Sequence, residues 1–194
     1  MIGGADEDLW VFGYGSLMWR PGFAYAERRK ATLKGWRRRL CVYSHHYRGT
    51  PEHPGLVLGL DQGGMCAGVA FRVHASLKGS TIRYLREREQ VTAVYIERIE
   101  PVTLETGKRV AALTYVADRL HPQYAGRLDR TAMLELVRAG KGASGRNADY
   151  VTETNDHLIA IGVRDRELDW LSRQLESRKA GKEARMTPGG LQAE

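Results

Sequence analysis

The chain has few of the features that would mark an extracellular scaffold, a zinc protein or a membrane protein. Only two of its 194 residues are cysteines, Cys41 and Cys66, and they show neither C-x-x-C nor zinc-ligand spacing. No apolar run approaches the roughly 18 residues that a membrane helix needs. The acidic segment 1–8 lacks the basic and apolar regions of a signal peptide. We therefore predict a cytoplasmic protein with reduced thiols and no membrane partner.

Length and composition predict a single globular domain. The hydrophobic fraction is 42% and the charged fraction 27%, as in an ordinary soluble protein. We find no internal repeat. The segment after residue 178 is polar and contains Pro188-Gly189-Gly190, so we predict one domain over 1–178 and a disordered tail over 179–194.

The chain is basic, with a formal net charge of +7, which raises nucleic acid as a partner. One cluster, Lys34 to Arg39, includes Trp36 between basic residues, and such a stripe can bind a phosphate backbone. The positive charge is nevertheless spread along the chain, and no nucleic-acid-binding module accompanies it. We predict no nucleic-acid partner, and a surface that is either simply solvated or attracts small anions.

Apolar periodicity predicts strands in the first part of the chain and helices in the second. This order predicts an α+β fold with a mixed, mostly antiparallel, barrel-like sheet and flanking helices. Two hairpins are expected, one turning at Gln62-Gly63-Gly64 and one at Thr106-Gly107-Lys108. The predicted strands are 9–14, 31–44, 56–60, 66–73, 94–104 and 109–116, and the predicted helices are 77–90, 131–139, 147–161 and 166–176.

The end of the first predicted strand carries the most informative local pattern. The apolar run from Leu9 breaks into Gly13-Tyr14-Gly15-Ser16-Leu17. Two glycines around a tyrosine let the chain leave the strand sharply and turn several backbone N–H groups in one direction. Such a concavity binds anions, for example a carboxylate. The alternative is a simple tight turn after a strand.

A carboxylate continues the apolar face of the first predicted helix. Ile82, Leu85 and Glu89 lie three and four residues apart, so they share one face. Burial and the negative end of the helix dipole would both raise the pKa of Glu89. A carboxylate with a raised pKa is a better general base for an ammonium proton. The alternative is a structural ion pair with an arginine such as Arg88.

Four stretches together resemble the γ-glutamylcyclotransferases, most closely the ChaC-like, glutathione-specific branch. Their order and spacing are more specific than any one of them, and the resemblance runs from about Trp10 to about Leu175. In this family small residues often precede the position of Tyr95, whereas Ala93-Val94 stands there in this chain. The stretches are Phe12 to Pro21; Tyr47 to Glu52 with Pro54-Gly55; Tyr84-Leu85 with Arg88-Glu89 and Tyr95; and Gly142 to Asn147 with Tyr150.

The resemblance implies an intramolecular aminolysis that needs no cofactor. The α-amine of a γ-glutamyl group attacks its own γ-carbonyl, which releases 5-oxoproline and, from glutathione, cysteinylglycine. By resemblance, the loop Tyr14-Gly15-Ser16-Leu17 would bind the γ-glutamyl end and Glu89 would act as general acid and base. Other γ-glutamyl peptides or amines are alternative substrates, and a binding module without catalysis is an alternative function.

Other polar residues carry separate predictions. Arg48 is a candidate for pairing with a substrate carboxylate, against a role in holding its loop. Tyr124 resembles a tyrosine near the family's pocket, and Tyr150 is predicted to pack among helices. Ser16 would be the nucleophile of a hydrolase, but the segment lacks the second glycine of a G-x-S-x-G elbow. His45, His46 and His53 match no zinc spacing and are predicted as solvated, so we expect no metal.

Overall fold

Five long strands form the centre of the molecule. The structure, a computed structural model, describes residue 4, residues 6–90 and residues 92–186. The side chains of 178–186 lie outside this description. The strands are β1 (Leu9–Gly13), β2 (Glu27–Ser44), β3 (Gly55–Val73), β4 (Tyr95–Leu104) and β5 (Arg109–Ala117).

The strands close into a barrel in the order β1-β3-β2-β4-β5. All neighbours are antiparallel except β1 and β5, whose parallel pairing aligns Trp10 with Ala112 and closes the barrel. A closed sheet leaves none of these five strands as a free edge. The predicted α+β fold with a mixed, mostly antiparallel barrel is thereby confirmed.

One predicted hairpin is wrong. β3 runs without a turn from Gly55 to Val73 and pairs with β2 along almost its whole length. Gly63 and Gly64 both have positive φ angles, of 98° and 74°, and lie opposite Gly35 at 86°. The register shifts between Lys34 and Trp36 on the paired strand. The glycines therefore form a β-bulge that bends two long strands, instead of a chain reversal.

The second hairpin and the first three helices follow the predicted positions, whereas the last helix extends beyond its predicted end at residue 176. β4 and β5 are joined by a turn that contains Gly107 at φ 86°. Two short strands, β6 (Lys141–Gly142) and β7 (Gly145–Arg146), form a separate small hairpin. The helices are α1 (Lys78–Glu89), α2 (Arg130–Ala139), α3 (Asn147–Ala160) and α4 (Arg166–Met186).

The core fills the barrel and extends under the later helices. Buried side chains of β1, β2 and β3 form one cluster with those of α2, α3 and α4. A second cluster joins Leu85 of α1 to the strands through Leu9, Val11 and Tyr115. Leu85 is fully buried, as the apolar face of this helix predicts. This packing fixes the C-terminal end of α1 beside the end of β1.

The segment predicted as a disordered tail, 179–194, falls in two parts. α4 continues to Met186, and residues 187–194 lie outside the described residues. Among the helices that the structure describes, none is both long and apolar enough to cross a membrane.

Candidate active site

A cavity of about 100 Å³ opens where β1 ends, next to the C-terminus of α1. It brings together the loop and the carboxylate that the sequence singled out separately. Its walls come from β1, the following loop, β3, α1, β4, β5 and α3. The lining residues are Phe12, Tyr14, Gly15, Ser16, Leu17, Val57, Leu58, Glu89, Tyr95, Tyr115 and Tyr150.

The loop after β1 lines this cavity and has backbone N–H groups that no acceptor uses among the described residues. The chain leaves the strand at Gly13 and forms a single 3₁₀ turn over Ser16–Met18. The Met18 N–H donates to the Gly15 carbonyl at 2.9 Å. Within the described part of the chain, the N–H groups of Gly15, Ser16 and Leu17 have no acceptor. The start of a helical turn leaves such donors free, so the loop can bind an anionic or developing oxyanionic oxygen.

A buried arginine holds the beginning of the loop. The Arg38 Nε donates to the Tyr14 carbonyl at 2.6 Å, and its Nη2 donates to the Ala67 carbonyl, also at 2.6 Å. Its Nη1 pairs with Asp165 at 3.3 Å. Because the charge is paired and its donors are used, burial of the guanidinium is compensated. The sequence offered no means of assigning this role to Arg38, because its acceptors come from distant segments.

Glu89 is the last residue of α1 and faces the cavity with only 18% of its side chain exposed. Burial raises the pKa of this carboxyl, and the positive charge of Arg88 partly offsets the increase. The Arg88 Nε lies 3.3 Å from the Glu89 Oε1. Both alternatives for Glu89 are therefore present together: the carboxylate forms an ion pair and also lines the cavity.

Four tyrosines surround the carboxylate: Tyr14, Tyr95, Tyr115 and Tyr150. Burial raises the pKa of each of them, so all four phenols stay protonated at neutral pH. Two of them bind the same strand residue, because the Tyr95 hydroxyl donates to the Leu58 carbonyl at 2.7 Å and the Leu58 N–H donates to the Tyr150 oxygen at 3.2 Å. The cavity thus has aromatic, neutral walls around one carboxylate.

Three of these tyrosines were not predicted as site residues. Tyr95 and Tyr150 belong to the stretches that carry the family resemblance, which is the signal that could have identified them. Tyr150 also packs against the core, as predicted, but its ring lines the cavity as well. Tyr115 lies on β5 in an apolar run, and nothing in the local sequence distinguishes it from a core residue.

The structure places Arg48 outside the cavity lining. Its Nη1 donates to the Ser144 carbonyl at 2.6 Å, and its guanidinium lies over the Tyr150 ring at 5.1 Å from the ring centre. These contacts tie the loop before β3 to the β6–β7 hairpin, as in the loop-holding alternative. Arg48 thus packs against Tyr150, a residue of the cavity wall, without lining the cavity itself. A direct contact between Arg48 and substrate stays a prediction.

Tyr124 also lies away from the cavity lining. Its hydroxyl donates to the Asp61 Oδ1 at 2.9 Å. Asp61 is buried and in addition accepts hydrogen bonds from Arg39 and Arg119. This network accounts for Tyr124 without a substrate, so its predicted role in substrate binding remains untested.

Among the described residues, the Ser16 hydroxyl makes no hydrogen bond to a histidine or a carboxylate that could act as its base. It accepts a hydrogen bond from the Arg88 Nη2 at 2.9 Å, and none of the described lining residues is a histidine. An arginine donor does not remove a proton from a serine. This environment disfavours Ser16 as a nucleophile. Over the residues that the structure describes, no group of three metal-ligating side chains could hold a metal ion.

Comparison with known proteins identifies the family of this chain. The family model described as ChaC-like protein matches residues 9–178. This chain belongs to the ChaC-like family. The match covers the five barrel strands and α1 to α3 completely, so the whole cavity lies inside it.

Relatives in the ChaC-like family come from bacteria and eukaryotes. A glutathione-specific gamma-glutamylcyclotransferase of Escherichia coli is 34% identical over 160 residues, which are 82% of this chain and 69% of the relative. Glutathione-specific gamma-glutamylcyclotransferase 1 of Homo sapiens is 34% identical over 165 residues, 82% of this chain and 73% of the relative.

A solved structure shows the same fold. The crystal structure of a gamma-glutamyl cyclotransferase specific to glutathione from yeast superposes with a TM-score of 0.78. The alignment covers 88% of this chain and 96% of the yeast chain at 21% sequence identity. At this identity the likeness concerns the fold, so the chemistry has to be argued from the residues of this chain.

Proposed function

We propose that this protein is a glutathione-specific γ-glutamylcyclotransferase, which converts glutathione into 5-oxoproline and cysteinylglycine. The observation that carries the proposal is the position of Glu89. A largely buried carboxylate with a raised pKa lines the same small cavity as Gly15, Ser16 and Leu17, whose backbone N–H groups have no acceptor among the described residues. This arrangement provides both a proton acceptor and oxyanion donors for a substrate bound there.

The reaction requires the γ-glutamyl group to fold back on itself. The α-amine then forms a bond to the γ-carbonyl carbon, and the bond from that carbon to the cysteine nitrogen breaks. Binding in a confined cavity holds amine and carbonyl in a near-attack geometry, which removes much of the entropic barrier. The cavity of about 100 Å³ suits the γ-glutamyl end, and the rest of the tripeptide extends through the opening.

Glu89 moves the proton in both halves of the reaction. It accepts a proton from the α-ammonium, whose ordinary pKa is about 8, and a raised carboxyl pKa narrows the difference between donor and acceptor. Glu89 releases this first proton to solvent. As the new bond forms, the attacking nitrogen loses a second proton to Glu89, which donates it to the departing cysteine nitrogen. The loop N–H groups stabilise the negative charge that develops on the γ-carbonyl oxygen.

The choice of glutathione rests on the relatives. Those of Escherichia coli and Homo sapiens are both named for glutathione specificity, and each is 34% identical to this chain. The cavity itself selects for the γ-glutamyl end, which all γ-glutamyl peptides share. Specificity for the remainder of the substrate must therefore come from contacts at the opening.

Product analysis with two substrates tests this proposal. Purified protein is incubated with reduced glutathione or with a γ-glutamyl dipeptide, and the products are identified by mass spectrometry. We expect equal amounts of 5-oxoproline and cysteinylglycine from glutathione and much less 5-oxoproline from the dipeptide. Equal turnover of both would contradict the glutathione specificity, and the absence of 5-oxoproline from both would contradict the cyclotransferase.

A further inference from the structure

Arg88 connects the elements on either side of the cavity. It precedes Glu89 on α1, and 24% of its side chain is exposed. Its Nη2 donates to the Ser16 hydroxyl at 2.9 Å, and its Nη1 donates to the Arg20 carbonyl at 2.7 Å. Nη1 also contacts the Pro21 carbonyl at 3.3 Å and the Tyr84 hydroxyl at 2.9 Å. The third nitrogen, Nε, faces the Glu89 carboxylate at 3.3 Å.

The three nitrogens of the planar Arg88 guanidinium thus bind three different parts of the site. One edge binds the loop after β1, one binds the chain that follows it, and the third binds the carboxylate. The guanidinium fork is rigid, so its bonds fix the relative positions of its partners. The distance between Glu89 and the free N–H groups at Gly15 to Leu17 is therefore set in part by Arg88.

We propose that Arg88 is a positioning residue for the cyclisation, which fixes the Glu89 carboxylate relative to the Gly15–Leu17 loop. The inference rests on the proposed function, because it assigns Arg88 a part in that reaction. Arg88 does not line the cavity, so its effect on the substrate passes through Glu89 and Ser16.

Arg88 also supplies the charge that Glu89 faces. The groups that approach Glu89 from the other elements are the phenols of Tyr14, Tyr95, Tyr115 and Tyr150, which are neutral. Among the described residues, Arg88 is the charged group that affects the pKa of Glu89, and it lowers that pKa. Loss of the guanidinium should therefore move the loss of activity at low pH to a higher pH, because Glu89 would bind its proton more tightly.

The decisive comparison uses three variants of α1. Arg88→Met removes both the charge and the hydrogen bonds. Arg88→Lys keeps the charge but replaces the three guanidinium nitrogens with one ammonium nitrogen. Arg83→Met is the matched control, because Arg83 is exposed on the same helix and makes no hydrogen bond or ion pair among the described residues. Folding of each variant is checked by circular dichroism, and kcat/KM for glutathione is measured as a function of pH.

We expect Arg88→Met to lose about 10- to 100-fold in kcat/KM at neutral pH, the size of loss that a misplaced catalytic group produces. The fall of kcat/KM at low pH should begin at a higher pH in this variant than in the unchanged protein. In Arg88→Lys, the fall of kcat/KM at low pH should return towards the pH seen in the unchanged protein. Its kcat/KM at neutral pH should recover only in part. Arg83→Met should match the unchanged protein. The proposal is overturned if kcat/KM of a folded Arg88→Met protein falls at the same low pH as in the unchanged protein. It is also overturned if both Arg88 variants are fully active.

A second measurement does not depend on turnover. The carboxyl carbon of Glu89 is followed by NMR in protein carrying ¹³C-labelled glutamate, and its signal is assigned by its absence in Glu89→Gln. The titration midpoint should rise in Arg88→Met and stay close to the original in Arg88→Lys. An unchanged midpoint in Arg88→Met overturns the role of Arg88. A shifted midpoint in a protein that forms no 5-oxoproline would instead overturn the proposed function and, with it, the role in cyclisation.

Discussion

At the scale of single residues, the account depends on Glu89. Glu89→Gln keeps the shape of the side chain but removes its ability to accept a proton. We expect turnover of glutathione to fall by about 10²- to 10⁴-fold, the usual contribution of a general acid–base group. The matched control is Glu87→Gln, which removes the same charge from an exposed position on the same helix.

Urea denaturation of Glu89→Gln and Glu87→Gln should show whether a loss of activity comes from lost catalysis or from unfolding. Burial raises the pKa of Glu89, so ionisation of this carboxyl costs stability as the pH rises through that pKa. Glu89→Gln should therefore be at least as resistant to urea as the unchanged protein at neutral pH. A variant that loses activity only because it unfolds more easily would contradict the role assigned to Glu89.

The raised pKa of Glu89 also predicts the pH dependence of turnover. The carboxylate is the active form, so kcat/KM should fall as the pH drops through the pKa of Glu89 in the free enzyme. The midpoint of this fall should lie above the ordinary glutamate value of about 4.3. A profile of kcat/KM for glutathione against pH checks this, and a midpoint at or below the ordinary value would contradict it.

At the scale of elements, α3 carries one wall of the cavity and is fastened to β3 by Asn147. The side chain of Asn147 is fully buried. Its Oδ1 accepts from the Leu56 N–H at 2.7 Å, and its Nδ2 donates to the Leu56 carbonyl, also at 2.7 Å. The same helix supplies the Tyr150 hydroxyl that binds the Leu58 N–H. Asn147 thus fixes the strand on which Val57 and Leu58 line the cavity.

Asn147→Ala should lower the free energy of unfolding by about 2–4 kcal/mol, because it leaves two buried backbone groups without partners. Urea denaturation measures this loss. Asn155→Ala is the matched control on the same helix, because the Asn155 Oδ1 is buried without a hydrogen-bond partner among the described residues. An equal loss in both variants would show that side-chain volume matters and the bonds to Leu56 do not.

Sequence reasoning worked best for elements whose signal is local. The apolar spacing of Ile82 and Leu85 predicts both α1 and the face on which Glu89 lies, and the structure agrees with both. Gly63 and Gly64 mislead, because positive φ angles serve a β-bulge as well as a turn. Only the pairing with β2, which is not a local property, decides between the two.

The supporting residues of the site were beyond local reasoning for the same reason. Arg38 and Arg88 act through carbonyl and hydroxyl groups of distant segments, and no spacing in the sequence records those contacts. Arg48 is a different case, and its contact with a substrate carboxylate stays a prediction. Its chemistry suits a carboxylate, yet the fold directs it to backbone carbonyls behind Tyr150.

At the scale of the whole molecule, the net charge of +7 should act on the encounter with substrate. Glutathione carries a net negative charge at neutral pH, so long-range attraction should raise its association rate. We expect kcat/KM to fall as salt increases from about 0.01 M to about 1 M, because the Debye length shortens from about 30 Å to about 3 Å. The value of kcat should change little.

The control for this effect is glutathione whose glycine carboxylate is replaced by a neutral amide. Its ammonium and remaining carboxylate cancel, so electrostatic steering should be absent. Its kcat/KM should stay nearly constant over the same salt range. A kcat/KM for glutathione that does not change with salt would remove this role from the basic surface.

Isotope analysis of the products shows whether the α-amine or water attacks the γ-carbonyl. The reaction is run with reduced glutathione in water enriched in ¹⁸O, and both products are examined by mass spectrometry. The account predicts 5-oxoproline and cysteinylglycine in equal amounts, with no ¹⁸O in either product, because the attacking atom is the substrate's own nitrogen. Glutamate carrying ¹⁸O would show that water attacks the γ-carbonyl and would contradict the account.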